Sequence, residues 1–267
     1  MSNAIRLTPS PRERVWGKTS LAPWFPDSET PIGEIWFLGE RELPLLVKLI
    51  FTSERLSVQV HPDDGEDGPR GKTEMWHIVE AAPGASLALG FREPLSRERL
   101  REAARSGEIE HLVNWMPACA GQTFFTPAHT VHAIGAGLVL WEIQQNCDVT
   151  YRLWDYGRPR PIHLEQAVAI ADLGVHAGPA RPARLDENRD ELVRSRHFVT
   201  ELVRMDAGAS HTAEARACQI WICLQGQGDI GGDRFRPGEV WLFPDSGEQP
   251  RIAPATAARW LRTYVPA

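Results

Sequence analysis

The alternation between Leu56 and His61 sets the terms for the whole chain. Leu56, Val58 and Val60 fall on one face of an extended segment, and Ser57, Gln59 and His61 fall on the other. One face can pack on a core while the other sets an amide beside an imidazole. Pro62 ends the ladder and Asp63-Asp64-Gly65 opens a loop. The chain returns at Gly71-Lys72-Thr73-Glu74, where a carboxylate heads the apolar run MWHIV. Further strands are expected over 34–38, 43–51, 86–91, 123–125, 138–145 and 149–154, then over 197–205, 217–224, 240–243 and 259–264.

The period changes between strands. Ser96 as an N-cap and Gly107 as a terminator predict a helix to about Arg105, followed by a helical turn over 108–114 and a short helix near 164–171. Residues 1–30, with Pro9, Pro11, Pro23 and Pro26, read as an irregular arm over the sheet. The Gly-, Ala- and Pro-rich stretch 174–182 reads as a linker. A first domain over 1–173, carrying the arm and the helical insert, and a second β domain over 183–267 are therefore expected. The second contains tight turns such as GQGDIGGDRFRPGEVWLFP and lacks the QxH, GKTE and PxHxxH patterns of the first, which leaves it a packing role.

Composition narrows the class. The chain has 267 residues, 42% hydrophobic and 24% charged, ordinary values for a soluble globular protein. No apolar run approaches the length of a membrane span and no signal-peptide pattern stands at the start, so a cytoplasmic enzyme is expected. Cys119, Cys147, Cys218 and Cys223 form no CxxC pair and read as reduced thiols. The net charge of −6 argues against a non-specific grip on nucleic acid. Of the 29 basic residues only Lys18, Lys48 and Lys72 are lysines, so Lys48 and Lys72 stand out as compact point charges for a phosphate or a sugar oxygen.

The candidate chemistry is metal binding. Gln59 and His61 at i, i+2 on one strand, with Glu74 from its neighbour, can supply three ligands to one ion. The stretch TFFTPAHTVHAIG offers His129 or His132 as a fourth. Glu142 lies in the apolar run LVLWEI, where it either turns to solvent or enters a pocket that raises its pKa toward that of a useful base.

LSVQVHPDD, GKTEMWHIV, TPAHTVHAIGAGLVLWEIQQ and DVTYRLWDY, in this order and spacing, resemble the type I phosphomannose isomerases in their short bacterial form, a cupin family. The resemblance extends from about Pro31 to about Asp172, with a looser match beyond. It implies a mainly β protein: a cupin-type jelly-roll β-sandwich with a small helical insert and a second, metal-free β-sandwich half. It implies one zinc ion per chain, with Gln59, His61, Glu74 and His132 as ligands. His132 is favoured over His129, where the family has a small or polar residue. The implied reaction is the reversible isomerisation of mannose 6-phosphate and fructose 6-phosphate through an enediol, a proton leaving C2 and returning at C1.

Arg152 matches an arginine that stabilises enediolate charge, and Asp148 orients its segment. Glu142 is the candidate proton shuttle, with solvent on the metal or a histidine as the alternatives. Lys72 counts among the catalytic groups and, with Ser57 and Arg158, anchors the phosphate, while Lys48 lies nearer the sugar. The partner implied is a small sugar phosphate, with no nucleic acid or membrane; the oligomeric state stays open. Two other readings compete. A metal cupin oxygenase carries histidine where this chain has Gln59, and a non-catalytic sugar-phosphate-binding cupin would lack Glu142 or Arg152.

Overall fold

A computed structural model describes residues 4–213, 218–243, 245 and 249–266. Its first half runs β1 (Ile5–Arg6), β2 (Thr8–Lys18), β3 (Ile32–Leu38), β4 (Leu45–Phe51), β5 (Val58–Val60), β6 (Glu74–Ala81) and β7 (Ser86–Phe91). There follow α1 (Arg97–Ser106), α2 (Ile109–Leu112), β8 (Val113–Pro117), β9 (Thr123–Thr126), β10 (His132–Ile134), β11 (Leu138–Gln145), β12 (Tyr151–Trp154) and α3 (Leu164–Ile170). These strands form an antiparallel sheet ordered β2-β3-β4-β11-β6-β9 and a second ordered β12-β5-β10-β7-β8. The expected mainly β cupin architecture is the one observed.

Strands β4 and β11 are buried at every position, so neither has a solvent side. One face, with Val47, Leu49, Phe51, Met75, Trp141 and Ile143, packs on Phe198, Ile220, Ile222 and Leu261 of the second half. The other, with Ile50, Trp76, Ile78 and Leu140, meets Leu87, Leu89 and Ile134 of the opposing sheet. Val58, Val60, Ala133 and Leu153 on the back of that sheet are covered by Leu100, Ala103, Ala167 and Val168 of α1 and α3. Ser96 caps α1 by accepting from the Arg99 N–H at 3.1 Å, and Gly107 ends it at φ 84°, a left-handed backbone that favours glycine.

Two expectations need correction, the irregular arm and the length of the helical turn, and the stretch read as a linker is held against the first half. Residues 8–18 form a strand, not an irregular arm. β2 is the outermost strand of its sheet, where Pro9 and Pro11 need no N–H on the open side. β1 crosses to the second half, pairing Ile5 with Leu242. The helical turn after α1 stops at Leu112 because the next residues extend the sheet, β8 pairing with β7. The stretch 174–182 is tied down: Val175 bridges Gly90, His176 Nε2 donates to the Phe125 carbonyl at 2.9 Å, and the Ala180 N–H donates to the Thr123 carbonyl at 2.8 Å.

In the second half a seven-stranded and a four-stranded sheet enclose Trp221, Phe235, Trp241 and Trp260. The Arg189–Arg194 strand escapes a pattern reading because RDELVR is dominated by charge. The expected start of a strand at Ala217 lies outside the described residues; the strand is seen from Gln219. Among the described residues no helix is long and apolar enough to cross a membrane.

His77 shares the Met75 face of β6 and is buried, its Nδ1 2.9 Å from the Thr123 hydroxyl. Burial, helped by Arg259, lowers its pKa to about 4. Between that value and the unfolded value of about 6.5, only the unfolded chain takes up the proton. Stability from this site is therefore fully present above about pH 6.5 and is lost as pH falls through about 4, up to about 3 kcal/mol. Urea titrations at pH 7 and pH 4.5 should show a smaller acid loss in His77→Gln than in the parent; equal losses would contradict neutral burial.

Candidate active site

Cross-strand register lines the inside of the first sandwich with two polar rows. Lys48 on β4 pairs with Glu142 on β11, Glu142 with Trp76 on β6, and Trp76 with Phe124 on β9. In the adjacent row Gln144 pairs with Glu74 and Glu74 with Thr126. On the opposing sheet His132 pairs with both Leu89 and Gln59, and Gln59 pairs with Arg152. His61 follows one residue after β5. Side chains alternate faces along each strand, so burying Val58 and Val60 against the helices turns Ser57, Gln59 and His61 inward.

His61, Glu74 and His132 offer ligand atoms all within 4.8 Å of one another, and all three side chains are buried. His61 Nδ1 donates to the Val149 carbonyl at 2.9 Å and His132 Nδ1 to the Thr130 carbonyl at 2.8 Å. Both Nε2 lone pairs therefore face the cluster, 3.7 and 3.5 Å from the Glu74 carboxylate. Burial, with Lys72 adding, pulls His132 down to about 3 and His61 well below the usual histidine range. Both imidazoles are thus neutral, the form that binds a metal. Burial raises Glu74 to about 7 against the pull of Lys72, whose Nζ lies 2.5 Å from Glu74 Oε2 and 2.8 Å from His61 Nε2.

The remaining Glu74 oxygen, Oε1, is buried with no hydrogen-bond partner among the described residues. Two neutral imidazoles around a carboxylate with a free acceptor fit a divalent cation. Gln59 stands at the rim, its Nε2 3.2 Å from His132 Nε2 and its Oε1 accepting from the Ser57 hydroxyl at 3.0 Å. Turning the amide over presents its oxygen to the cluster and its nitrogen to a hydroxyl that can accept.

Beside the cluster, Lys48 Nζ lies 3.0 Å from Glu142 Oε1 and 4.8 Å from the Trp36 ring centre, and the Trp76 indole donates to Glu142 Oε2 at 3.0 Å. Glu142 is in the pocket, but its pKa does not rise. Burial alone would raise it; Lys48 and Lys72 overrule burial and hold it at about 2. Lys48 behaves in the mirror sense. Burial opposes its charge, and Glu142, Glu34 and Asp148 outweigh burial and raise its pKa above the usual lysine value. Asp148 is exposed, 3.7 Å from Lys48.

Arg152 is held by its backbone, which donates to His163 Nδ1 at 3.1 Å, and by Nη1, which donates to the Pro161 carbonyl at 2.8 Å. Its Nε is buried without a partner among the described residues. Arg158 is not brought to the cluster: its guanidinium binds Glu54 at 2.8 Å, the Arg55 carbonyl at 2.8 Å and Asp155 at 3.3 Å. His129 also stands outside. It adopts φ 72°, places Nε2 2.7 Å from Glu66 Oε2, and donates its N–H to the His61 carbonyl at 2.9 Å. It braces the loop after His61 and does not join the triad. Asp64, Glu66 and Gln145 are further polar contributors that the motifs do not single out; the acidic run after Pro62 was the only trace of the first two.

Two antiparallel sheets closed around a buried His–Glu–His cluster define a cupin with a candidate metal centre. No family model matches the chain. A mannose-6-phosphate isomerase from Streptococcus mutans is 40% identical over 219 residues, covering 76% of this chain and 69% of that protein. The Bacillus subtilis mannose-6-phosphate isomerase ManA is 30% identical over 291 residues, covering 87% and 90%. Among solved structures, mannose 6-phosphate isomerase from Bacillus subtilis superposes with a TM-score of 0.87 at 23% identity, covering 98% of this chain and 99% of that one. A zinc-bound mannose 6-phosphate isomerase gives a TM-score of 0.79 at 17% identity, covering both chains fully. The chain belongs to the mannose-6-phosphate isomerase family, and it is an enzyme.

Elemental analysis after dialysis tests the ligand assignment. His132→Ala and Gln59→Ala should lower bound metal, whereas His129→Ala should keep it; metal lost only from His129→Ala would reverse the choice of histidine.

Proposed function

We propose that the protein interconverts mannose 6-phosphate and fructose 6-phosphate with one zinc ion per chain. The observation that carries this reading is the buried His61–Glu74–His132 cluster beside the Lys48–Glu142 pair and Arg152. Support for the substrate comes from the names of the relatives, and support for zinc from the donor set and from the zinc-bound neighbour. Zinc held by His61, Glu74, His132 and Gln59 would supply a Lewis acid toward the sugar's carbonyl oxygen.

The chain's own groups divide the remaining work. Isomerisation moves a proton from C2 to C1 through an enediol, so a base must accept it and return it. Glu142 is a poor base while Lys48 faces it, since that ammonium, with Lys72 adding, depresses its pKa. Once Lys48 turns to a substrate oxygen, the largest pull against burial weakens and the carboxylate gains basicity. Lys48 thus acts as the lever and Glu142 as the proton carrier. Arg152, cross-strand neighbour of Gln59, stabilises negative charge on the enediolate oxygens, and Asp148 keeps Lys48 charged from the solvent side. Ser57 and Lys72 are the phosphate and sugar-oxygen contacts. Arg158 drops out of that set because Glu54 and Asp155 hold it.

Incubated with mannose 6-phosphate, the zinc-loaded protein should form fructose 6-phosphate, read in a coupled assay. Glu142→Gln should keep its zinc and lose turnover by roughly 100-fold or more. Full turnover in that variant would remove Glu142 from the proton path, and no product from the parent protein would contradict the substrate.

A further inference from the structure

We infer that Asp64 is a positioning residue for the metal centre, holding in register the two strands that carry His61 and Glu74. The inference rests on the ligand assignment above. The loop between these strands leaves His61 at Pro62 and returns at Gly71, and the two ends lie against each other. The Lys72 N–H donates to the Pro62 carbonyl at 2.9 Å. A Cβ on Gly71 would meet the Asp63 carbonyl carbon at 2.4 Å, so this approach is possible only for glycine.

One oxygen of Asp64 closes the pinch. Its Oδ1 accepts from the Gly71 N–H at 2.7 Å and from Gln145 Nε2 at 2.8 Å. Gln145 stands at the end of β11, and its Oε1 accepts from the Thr73 N–H at 2.9 Å while its own N–H donates to the Thr73 carbonyl at 3.1 Å. Thr73 is flanked by Lys72 and Glu74, the two charged groups of the cluster. Asp64 therefore links the departing strand, the returning strand and β11 through four hydrogen bonds centred on itself and Gln145.

The second half of the chain reinforces the same loop. Arg196 Nη2 lies 2.8 Å from both oxygens of Asp63, and His197 lies 3.9 Å from Asp63 and 3.8 Å from Asp64. Asp63, Asp64 and His197 also satisfy the geometry of a cation cluster, but Arg196 already supplies the positive charge there. The contact is a clasp between the second half and the loop that joins the two ligand strands.

Zinc affinity, measured by competition with a chromophoric chelator, tests the inference. Asp64→Ala removes the acceptor and should weaken zinc binding about 10-fold. Asp64→Asn keeps an oxygen for both donors and should bind like the parent, a rescue that a general loss of stability would not show. Gln145→Met cuts the same link from the other side and should also weaken binding, which keeps the test open if Asp64→Ala does not fold. Glu74→Gln serves as the reference. If it binds zinc like the parent, the metal is elsewhere and the ligand assignment itself fails. If it loses zinc while Asp64→Ala and Gln145→Met bind like the parent, the ligands stand and the positioning role is overturned. Equal weakening in Asp64→Asn and Asp64→Ala would likewise overturn it.

Discussion

A strand buried on both faces has no solvent side on which to leave a charge. That constraint governs this molecule. β4 and β11 are covered outside by the second half and inside by the opposing sheet, so Lys48, Glu142 and Gln144 must lie in the interior. An unpaired charge there would cost several kcal/mol. Direct register across the ladder supplies the partner, Lys48 against Glu142, with the Trp76 indole completing the carboxylate. The second half therefore does more than add bulk: by covering one face of the shared sheet it forces the polar groups to the other, where the chemistry is.

The same logic fixes the metal cluster. Valines directed to the helix-covered back of the second sheet turn Gln59 and His61 to the front, and Glu74 faces them from the first sheet. The histidines are oriented from behind by carbonyls of Val149 and Thr130, which turns their Nε2 lone pairs toward the cluster. Glu74 retains an unpartnered oxygen in a buried setting, an arrangement costly in a purely structural role and useful to a ligand. The loop between the ligand strands carries the Asp64 contact to Gly71 and the Asp63 contact to Arg196 of the second half.

Much of this was legible in the sequence wherever the information is local. The alternation at Leu56–His61, the cap and stop at Ser96 and Gly107, and the carboxylate heading the strand at Glu74 all depend on neighbours within a few positions. What failed to show was set by distant partners. The pKa of Glu142 was expected to rise because burial was visible and the facing Lys48, nearly a hundred residues away, was not. Arg158 was assigned to the phosphate because nothing in YGRPRP reveals Glu54, 104 positions away in the chain. Pro9 and Pro11 argued against a strand that only its edge position permits. Asp64 read as an ordinary turn residue because Gln145, its main side-chain partner, comes from another strand.

The central claim is that His61, Glu74 and His132 form one metal centre. Anomalous diffraction from crystals grown with zinc, recorded on both sides of the zinc absorption edge, tests it most directly. The account predicts a single strong peak within bonding distance of both Nε2 atoms and the Glu74 carboxylate. A zinc-free cluster, with the peak elsewhere or absent, would contradict it.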